Sequence, residues 1–447
     1  MNKRIKYISE IVEKHSKLIL EAERYIWKNP ETGYKEKKTS RYLEEKFREM
    51  GYNTVPAGNI PGFCAELDTG REGPCILVLG EMDALICAEH PECDPVTKAV
   101  HVCGHNAQTA ALLGIAAALA DSDISAHWSG KIRFCAVPAE ELIEIGFRDT
   151  LKKKGIIKYY GGKTEFLYRG YFDGADMAMM VHTKTGGGFS IDGGGVGCLA
   201  KKIIYKGKSA HAGGAPHEGI NALYAANLGL SAVNALRETF RECDAIRFHP
   251  IITKGGSAVN AIPDEVIAES YVRGMTLEAI ERENNKINRA LTGAAAAMGA
   301  NIEIYDNPGY SPFVTDKNFA EAAVKAVSGT PFEYKVNLGE IKASSTDMGD
   351  LSSVMPTIQP YAGGAEGTQH GMDFYIRDPQ TACVDNAKVQ IKILDELLGN
   401  GADSAREIAK KAKPLFASKE EYFKKTASFV QSGERIKYER GSIILRD

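Results

Sequence analysis

Between Val196 and Asp306 the residue pattern spells six elements in an order that closes on itself. A strand at Leu199–Tyr205 is followed by a helix at Asn221–Thr239 and strands at Ala245–Thr253 and Val266–Arg273. A helix at Leu277–Met298 and a strand at Asn301–Tyr305 complete it. The order β-α-β-β-α-β is the ferredoxin-like α+β pattern, and roughly 110 residues is an ordinary size for a small domain. Gly193-Gly194-Gly195 before it and Asn307-Pro308-Gly309 after it are suited to hinges. The segments on either side are therefore expected to form one domain that this unit interrupts.

Those flanks have a different rhythm. Short apolar runs at Cys75–Leu79, Lys131–Val137 and Met177–Val181 read as strands buried on both faces. An alanine- and leucine-rich helix from about Ala107 to Leu119 lies between the first two. Strands alternating with helices predict an α/β domain with a mostly parallel sheet. Thr39–Met50 has helical spacing and stops at Gly51, and Asp378-Pro379 opens a helix that Gly399 ends. From about Ser404 the chain reads as lysine- and glutamate-rich helix. The expected division is residues 1–195 with 307–447, and 196–306 inserted.

Reactive residues fall where those strands end. Glu81 and Asp83 follow one strand, Glu140 and Glu141 the next, and His182 the third. Open parallel sheets form their sites at the carboxyl ends of strands, so these groups should share one edge. Cys103 and His105 precede the Ala107 helix, whose N-terminus favours a thiolate, and His370 lies in a glycine-rich loop. Thiolate, imidazole and carboxylate together suit zinc or manganese-like divalent ions. Of two adjacent glutamates, one can bind metal while its neighbour moves a proton. Singly, each piece has an ordinary structural meaning: an incidental triplet, a solvated helix start, a hydrogen-bonded histidine. A second set, Cys87, His90, Cys93 and His101, has knuckle-like spacing for a structural zinc, although a plain surface loop is the first reading of that stretch.

Composition narrows the alternatives. A net charge of −3 gives no electrostatic case for nucleic acid. No apolar run reaches the ~18 residues of a membrane span, and the first residues lack the apolar core of a signal peptide. Nine cysteines, an odd number scattered over 447 residues, argue for a reducing compartment, and a cytoplasmic location is expected.

Ordered motifs then add a resemblance. They are Asn29-Pro30-Glu31-Thr32-Gly33-Tyr34, Gly80-Glu81-Met82-Asp83-Ala84-Leu85, Cys103-Gly104-His105-Asn106 and Val137-Pro138-Ala139-Glu140-Glu141. Val181-His182, Ser209-Ala210-His211-Ala212, Val259-Asn260-Ala261-Ile262-Pro263, Ser345-Thr346-Asp347-Met348-Gly349-Asp350 and His370-Gly371 follow. The chain resembles metallopeptidase family 20 in its amidohydrolase subfamily, which includes aminoacylases, indole-acetyl-amino-acid hydrolases, p-aminobenzoyl-glutamate hydrolases and a dipeptidase-like branch.

The resemblance implies a di-metal catalytic domain and an inserted domain that serves as lid and dimerisation surface. It implies two divalent ions, manganese or zinc first and cobalt or nickel as alternatives. Cys103 would bridge them, and His105, Glu141, His182 and His370 would complete the shells. Glu140 would be the general base, and Asp83 would orient an imidazole. His211 would polarise the scissile carbonyl in a partner subunit's site. Asn260 and Arg273 would hold the substrate, an N-acyl amino acid or dipeptide. A homodimer is expected, with neither nucleic acid nor membrane as partner. Asn106, where many members carry aspartate, and the Ile86–Val100 and Tyr159–Tyr171 elaborations leave the substrate branch open. Two rivals stand beside this reading: a hydrolase with Cys103 as nucleophile activated by His105, and a non-catalytic binding protein on the same fold.

Overall fold

The computed structural model describes residues 3–439 and 442–446. They fall into two compact units. The first comprises the chain up to Gly194, Phe313–Lys342 and Asp347–Lys419; the second comprises Gly195–Pro312, Ala343–Thr346 and the segment from Glu420 onward.

The first unit is built on a six-stranded sheet in the spatial order Thr54–Pro56, Phe63–Asp68, Lys131–Val137, Cys75–Glu81, Met177–Met179, Thr357–Ile358. Its four inner and far strands run parallel, and the Thr54–Asp68 hairpin adds an antiparallel edge. Cys75–Glu81 lies at the centre and every residue in it is buried, which is why its sequence shows no alternation. The helix His105–Ala120 is buried all round except at its last residue, so it too lacks a polar face. It packs on the central strand at Gly80, where a Cβ would come within 3.1 Å of Leu112 and 3.3 Å of Thr109.

The third predicted strand ends early. Met177–Met179 belongs to this sheet, whereas His182 opens a new strand, His182–Thr185, that pairs in parallel with Tyr361–Glu366 in a second sheet. His182 thus stands at a crossing between sheets, fixed by its N–H to the Pro360 carbonyl at 2.8 Å.

The second unit has a sheet in the order Arg247–Phe248, Glu265–Gly274, Gly197–Lys206, Asn301–Tyr310, Gln431–Glu434, with Ile251–Lys254 also on Glu265–Gly274. Helices Ala222–Leu236 and Leu277–Ala297 accompany it. Burial alternates strictly along Glu265–Gly274, as expected of a sheet covered on one face. The predicted Ala245–Thr253 strand is two short strands, because Pro250 between them has no N–H to give a ladder.

The C-terminal stretch differs most from expectation. Helices Asp403–Lys411 and Lys419–Ala427 give way to strands Gln431–Glu434, Ile436–Glu439 and Ser442–Leu445. Gln431–Glu434 pairs with Asn301–Tyr310, and the segment from Glu420 onward falls in the second unit, as do 307–312 and Ala343–Thr346, not with Phe313–Lys342 and Asp347–Lys419. The open edge of Asn301–Tyr310 is the physical reason: its unpaired backbone groups take a partner strand. Among the described residues no helix is long and apolar enough to cross a membrane.

Helix Ala222–Leu236 starts at Asn221, whose side chain accepts from the Leu223 and Tyr224 amides. Asn221→Ala is expected to cost about 1 kcal/mol, read as a lower melting temperature by calorimetry.

Candidate metal centre

The join between strand and helix sets the site. Gly104 has φ 88°, and a Cβ there would lie 2.7 Å from Thr183 Cβ. Only glycine fits without strain. The Thr183 hydroxyl donates to the Gly104 carbonyl at 3.1 Å, which brings Cys103 and His105 against the start of the His182 strand.

Cys103 Sγ lies 3.5 Å from His182 Nε2 and 3.4 Å from His370 Nε2. His370 Nε2 is also 3.4 Å from Glu141 Oε1. On the other side, His105 Nε2 is 3.2 Å from Glu81 Oε2 and 3.9 Å from Glu140 Oε2. His105 Nδ1 lies 2.9 Å from the Asp83 carbonyl, and His182 Nδ1 lies 2.7 Å from the Thr183 carbonyl. A carbonyl can only accept, so both imidazoles carry a proton on Nδ1, which leaves Nε2 as the inward-facing atom that a bound ion would take. Asp83 Oδ2 accepts from the Glu141 amide at 2.7 Å and so ties the two acidic loops together.

Two ligand groups result, Cys103–His105–His182 and Cys103–Glu141–His370, and they share the thiol. Within each, one ligand atom per residue lies within 4.8 Å of the others. A third group, Glu81–His105–Glu140, adjoins the first. His105 Nε2 and Glu141 Oε1 are buried and make no hydrogen bond among the described residues. Unpartnered imidazole and carboxylate atoms beside a shared thiol fit divalent cations.

The electrostatics agree with that fit. Burial alone would raise the Cys103 thiol, but the imidazoles of His105 and His182 outweigh it and hold the group well below its ordinary value. Burial, then the charges of Glu81 and Glu141, push Glu140 well above the usual carboxylate range. Burial and the Cys103 thiolate push Glu141 up to about 7. His370 is raised to about 10 despite burial, through its contacts with Cys103 and Glu141.

Sequence reasoning gave Lys163 no role. Its ammonium is fully buried, bonded to Glu81 and at 2.5 Å to Asp347 Oδ1, while its amide donates to Asp347 Oδ2 at 2.8 Å. Burial pushes Asp347 up to about 6 although Lys163 opposes it. The signal was Gly161-Gly162 before the lysine. A Cβ at Gly162 would fall 1.6 Å from the Pro138 carbonyl oxygen, so the chain there lies against the loop that carries Glu140.

The predicted substrate residues lie in the second unit. His211 is exposed and its Nδ1 accepts from the Gly213 and Gly214 amides at 3.2 and 2.9 Å. Asn260 is exposed beside it, its carbonyl accepting from the Ala212 amide at 2.9 Å. Arg273 is half-buried and donates to His249 Nε2 and Ser345 Oγ, each at 3.1 Å.

The zinc-knuckle alternative has no support in the geometry. Among the described residues Cys87, His90, Cys93 and His101 form no ligand group. Both nitrogens of His90 are engaged, with the Phe374 carbonyl at 3.1 Å and the Glu92 amide at 3.1 Å. Burial lowers His101 to about 3, the state of a neutral core histidine.

Residues 196–298 match the family model described as the M20 peptidase dimerisation domain. Mouse Xaa-Arg dipeptidase is 28% identical over 76% of this chain and 74% of its own. Bacillus subtilis N-acetyl-L-cysteine deacetylase is 26% identical over 67% of this chain and 70% of its own. A dinuclear metal-binding M20 peptidase from B. subtilis superposes with a TM-score of 0.64, covering 86% of this chain and 99% of its own at 21% identity. The chain is a relative of the M20 metallopeptidases. These relatives include dipeptidases, carboxypeptidases and deacetylases, all of them hydrolases of amide bonds. The M20 dimerisation match lies within the ferredoxin-like unit, while the superposition extends the likeness of fold to 86% of the chain.

Gly104→Ala adds a Cβ in the left-handed region and against Thr183. It is expected to cost about 2–4 kcal/mol and to lower metal occupancy, checked by denaturant unfolding and elemental analysis. Lys163→Met leaves Glu81 and Asp347 buried without their cation, and about 3–5 kcal/mol should be lost in the same unfolding measurement.

Proposed function

We propose that the chain is a metal-dependent amidohydrolase that cleaves an N-acyl or N-aminoacyl amino acid. The observation that carries this reading is the position of Cys103 Sγ, 3.5 Å from one inward-facing imidazole and 3.4 Å from another that belongs to a separate ligand group. A thiolate so placed is suited to be shared between two ions. Cys103, His105 and His182 would hold one, and Cys103, Glu141 and His370 the other. Zinc or manganese fits the donor set best. Bound there, the ions would supply Lewis acidity toward the scissile carbonyl and toward a water.

The chain's own residues do the rest. Glu140, 3.9 Å from His105 Nε2 and nine-tenths or more buried, would take the proton from water and return it to the leaving nitrogen. Its raised proton affinity suits a group that must hold a proton between two steps. Asp83 would fix the orientation of His105 and of the Glu141 amide. His211 is assigned to the developing oxyanion, and Asn260 and Arg273 to the substrate, on their sequence motifs. A homodimer through the second unit and a cytoplasmic location belong to the same reading.

Four measurements test it. Purified protein should contain close to two divalent ions per chain. A screen of N-acyl amino acids, p-aminobenzoyl-glutamate and dipeptides with added Mn²⁺, Zn²⁺ or Co²⁺ should release an amine product. Glu140→Gln should keep its metal and lose about 100-fold or more in kcat; near-normal turnover would remove Glu140 from the role of base. Activity that survives chelation and is lost on thiol alkylation would transfer the chemistry to Cys103 as nucleophile.

A further inference from the structure

Glu140 and Glu141 stand on the loop Pro138–Glu141, and three segments without a part in the proposed chemistry hold its backbone. Ala139 has φ 57°. For a residue with a Cβ that conformation costs about 1–2 kcal/mol and persists only where the surroundings impose it. The Ala139 amide donates to Glu36 Oε1 at 2.7 Å. The Ala139 carbonyl accepts from Gly162 N at 3.2 Å and from Arg148 Nη1 at 3.4 Å. Two residues on, the Glu141 carbonyl accepts from Arg148 Nη2. Arg148 Nη1 reaches one more carbonyl, that of Tyr160, at 2.6 Å.

Both charged groups are internal: Glu36 is 0% and Arg148 1% exposed. Arg148 comes from the helix Ile145–Lys153, Glu36 from the stretch that follows the Asn29–Tyr34 motif. That motif has an explanation here. A Cβ at Gly33 would lie 2.5 Å from Arg148 Nη2 and 3.0 Å from Ala139 Cα, so Gly33 leaves the space in which the guanidinium meets the loop. Tyr34 lines the same space, its ring centre 5.6 Å from the guanidinium carbon.

We propose that Arg148 and Glu36 are a positioning pair that fixes the strained loop, and through it the carboxylates of Glu140 and Glu141. Glu36 takes the loop amide on one side of Glu140, and Arg148 takes the carbonyls on both sides. The functional consequence rests on the reading of Glu140 as base; the mechanical claim, that the pair holds the loop, does not. A displacement of about 1 Å in a catalytic group can cost on the order of 100-fold in rate, so the pair should act on turnover rather than on substrate affinity.

The test uses Arg148→Met, Glu36→Ala, Glu36→Gln and Gly33→Ala in the full chain, with three readouts. Amide hydrogen exchange followed by mass spectrometry reports on the loop, elemental analysis on metal content, and steady-state kinetics on kcat and KM. Arg148→Met and Glu36→Ala should accelerate exchange about 10-fold or more in peptides spanning residues 138–143 and leave the strand Cys75–Glu81 unchanged. They should lower kcat about 10- to 100-fold with KM and metal content within about threefold. Glu36→Gln keeps an oxygen for the Ala139 amide and should retain kcat within about threefold. Should Arg148→Met fail to fold, Gly33→Ala crowds the guanidinium without removing a polar group and should give the same pattern.

Unchanged exchange in the loop, or faster exchange throughout the unit, would overturn the clamp. Faster loop exchange with unchanged kcat would overturn its role in positioning, and so would a Glu36→Gln variant as impaired as Glu36→Ala. If Glu140→Gln itself retains kcat, the reading of the base falls while the exchange arm still decides whether the pair holds the loop.

Discussion

One contact organises the first unit: the seam between the strand Cys75–Glu81 and the helix His105–Ala120. Gly80 lets the two backbones approach. Gln108 then closes the seam from the helix side, accepting from the Glu81 amide at 2.5 Å and donating to Glu81 Oε2 at 3.0 Å. The Thr109 hydroxyl donates to the Glu81 carbonyl. Because the helix starts at His105, this registration also decides where Cys103 and His105 stand relative to the acids at the strand ends. Both partners lie inside the main core, so the seam carries the rigidity of that core to the donors.

The seam also concentrates negative charge. Glu81, Glu140 and Asp347 are all buried around Lys163, and one ammonium cannot neutralise three carboxylates. Burial first, and then this excess of like charge, raises the proton affinity of Glu140 and Asp347, whereas Glu81, closest to Lys163 and His105, stays below the usual carboxylate value despite its burial. Closely similar acids are thus driven apart by their neighbours, the condition under which one can stay ionised while another holds a proton.

Much of this was legible in the sequence where physics is local. An apolar run followed by an acid marks a buried strand and its functional end, so Glu81, Asp83, Glu140 and Glu141 could be placed from the pattern alone. His182 was misplaced by a short distance, since nothing in Met177–Val181 reveals that the chain changes sheets at Met180. The partners of Lys163 and Glu36 were hidden for another reason: they are remote in the chain, whereas Arg148 bonds to carbonyls only 7 to 12 residues away that its own sequence does not mark as acceptors. The bond between Lys163 and Asp347 spans 184 residues, and that between Glu36 and Ala139 spans 103. A lone charge in a sequence reads as surface until the fold supplies what it faces. The C-terminal strands were hidden behind lysine- and glutamate-rich helix, although Ile436, Ile443, Ile444 and Leu445 stood just beyond it.

Those last strands bear on how the molecule is made. Asn301–Tyr310 receives its outer neighbour, Gln431–Glu434, only after more than a hundred further residues have been synthesised. Until then the nascent second unit exposes a ten-residue strand edge able to pair with any extended segment nearby. That pairing, which covers Glu303–Asp306, is therefore a late protective step in biosynthesis, and a ribosome that stalls before it leaves a sheet with an adhesive side.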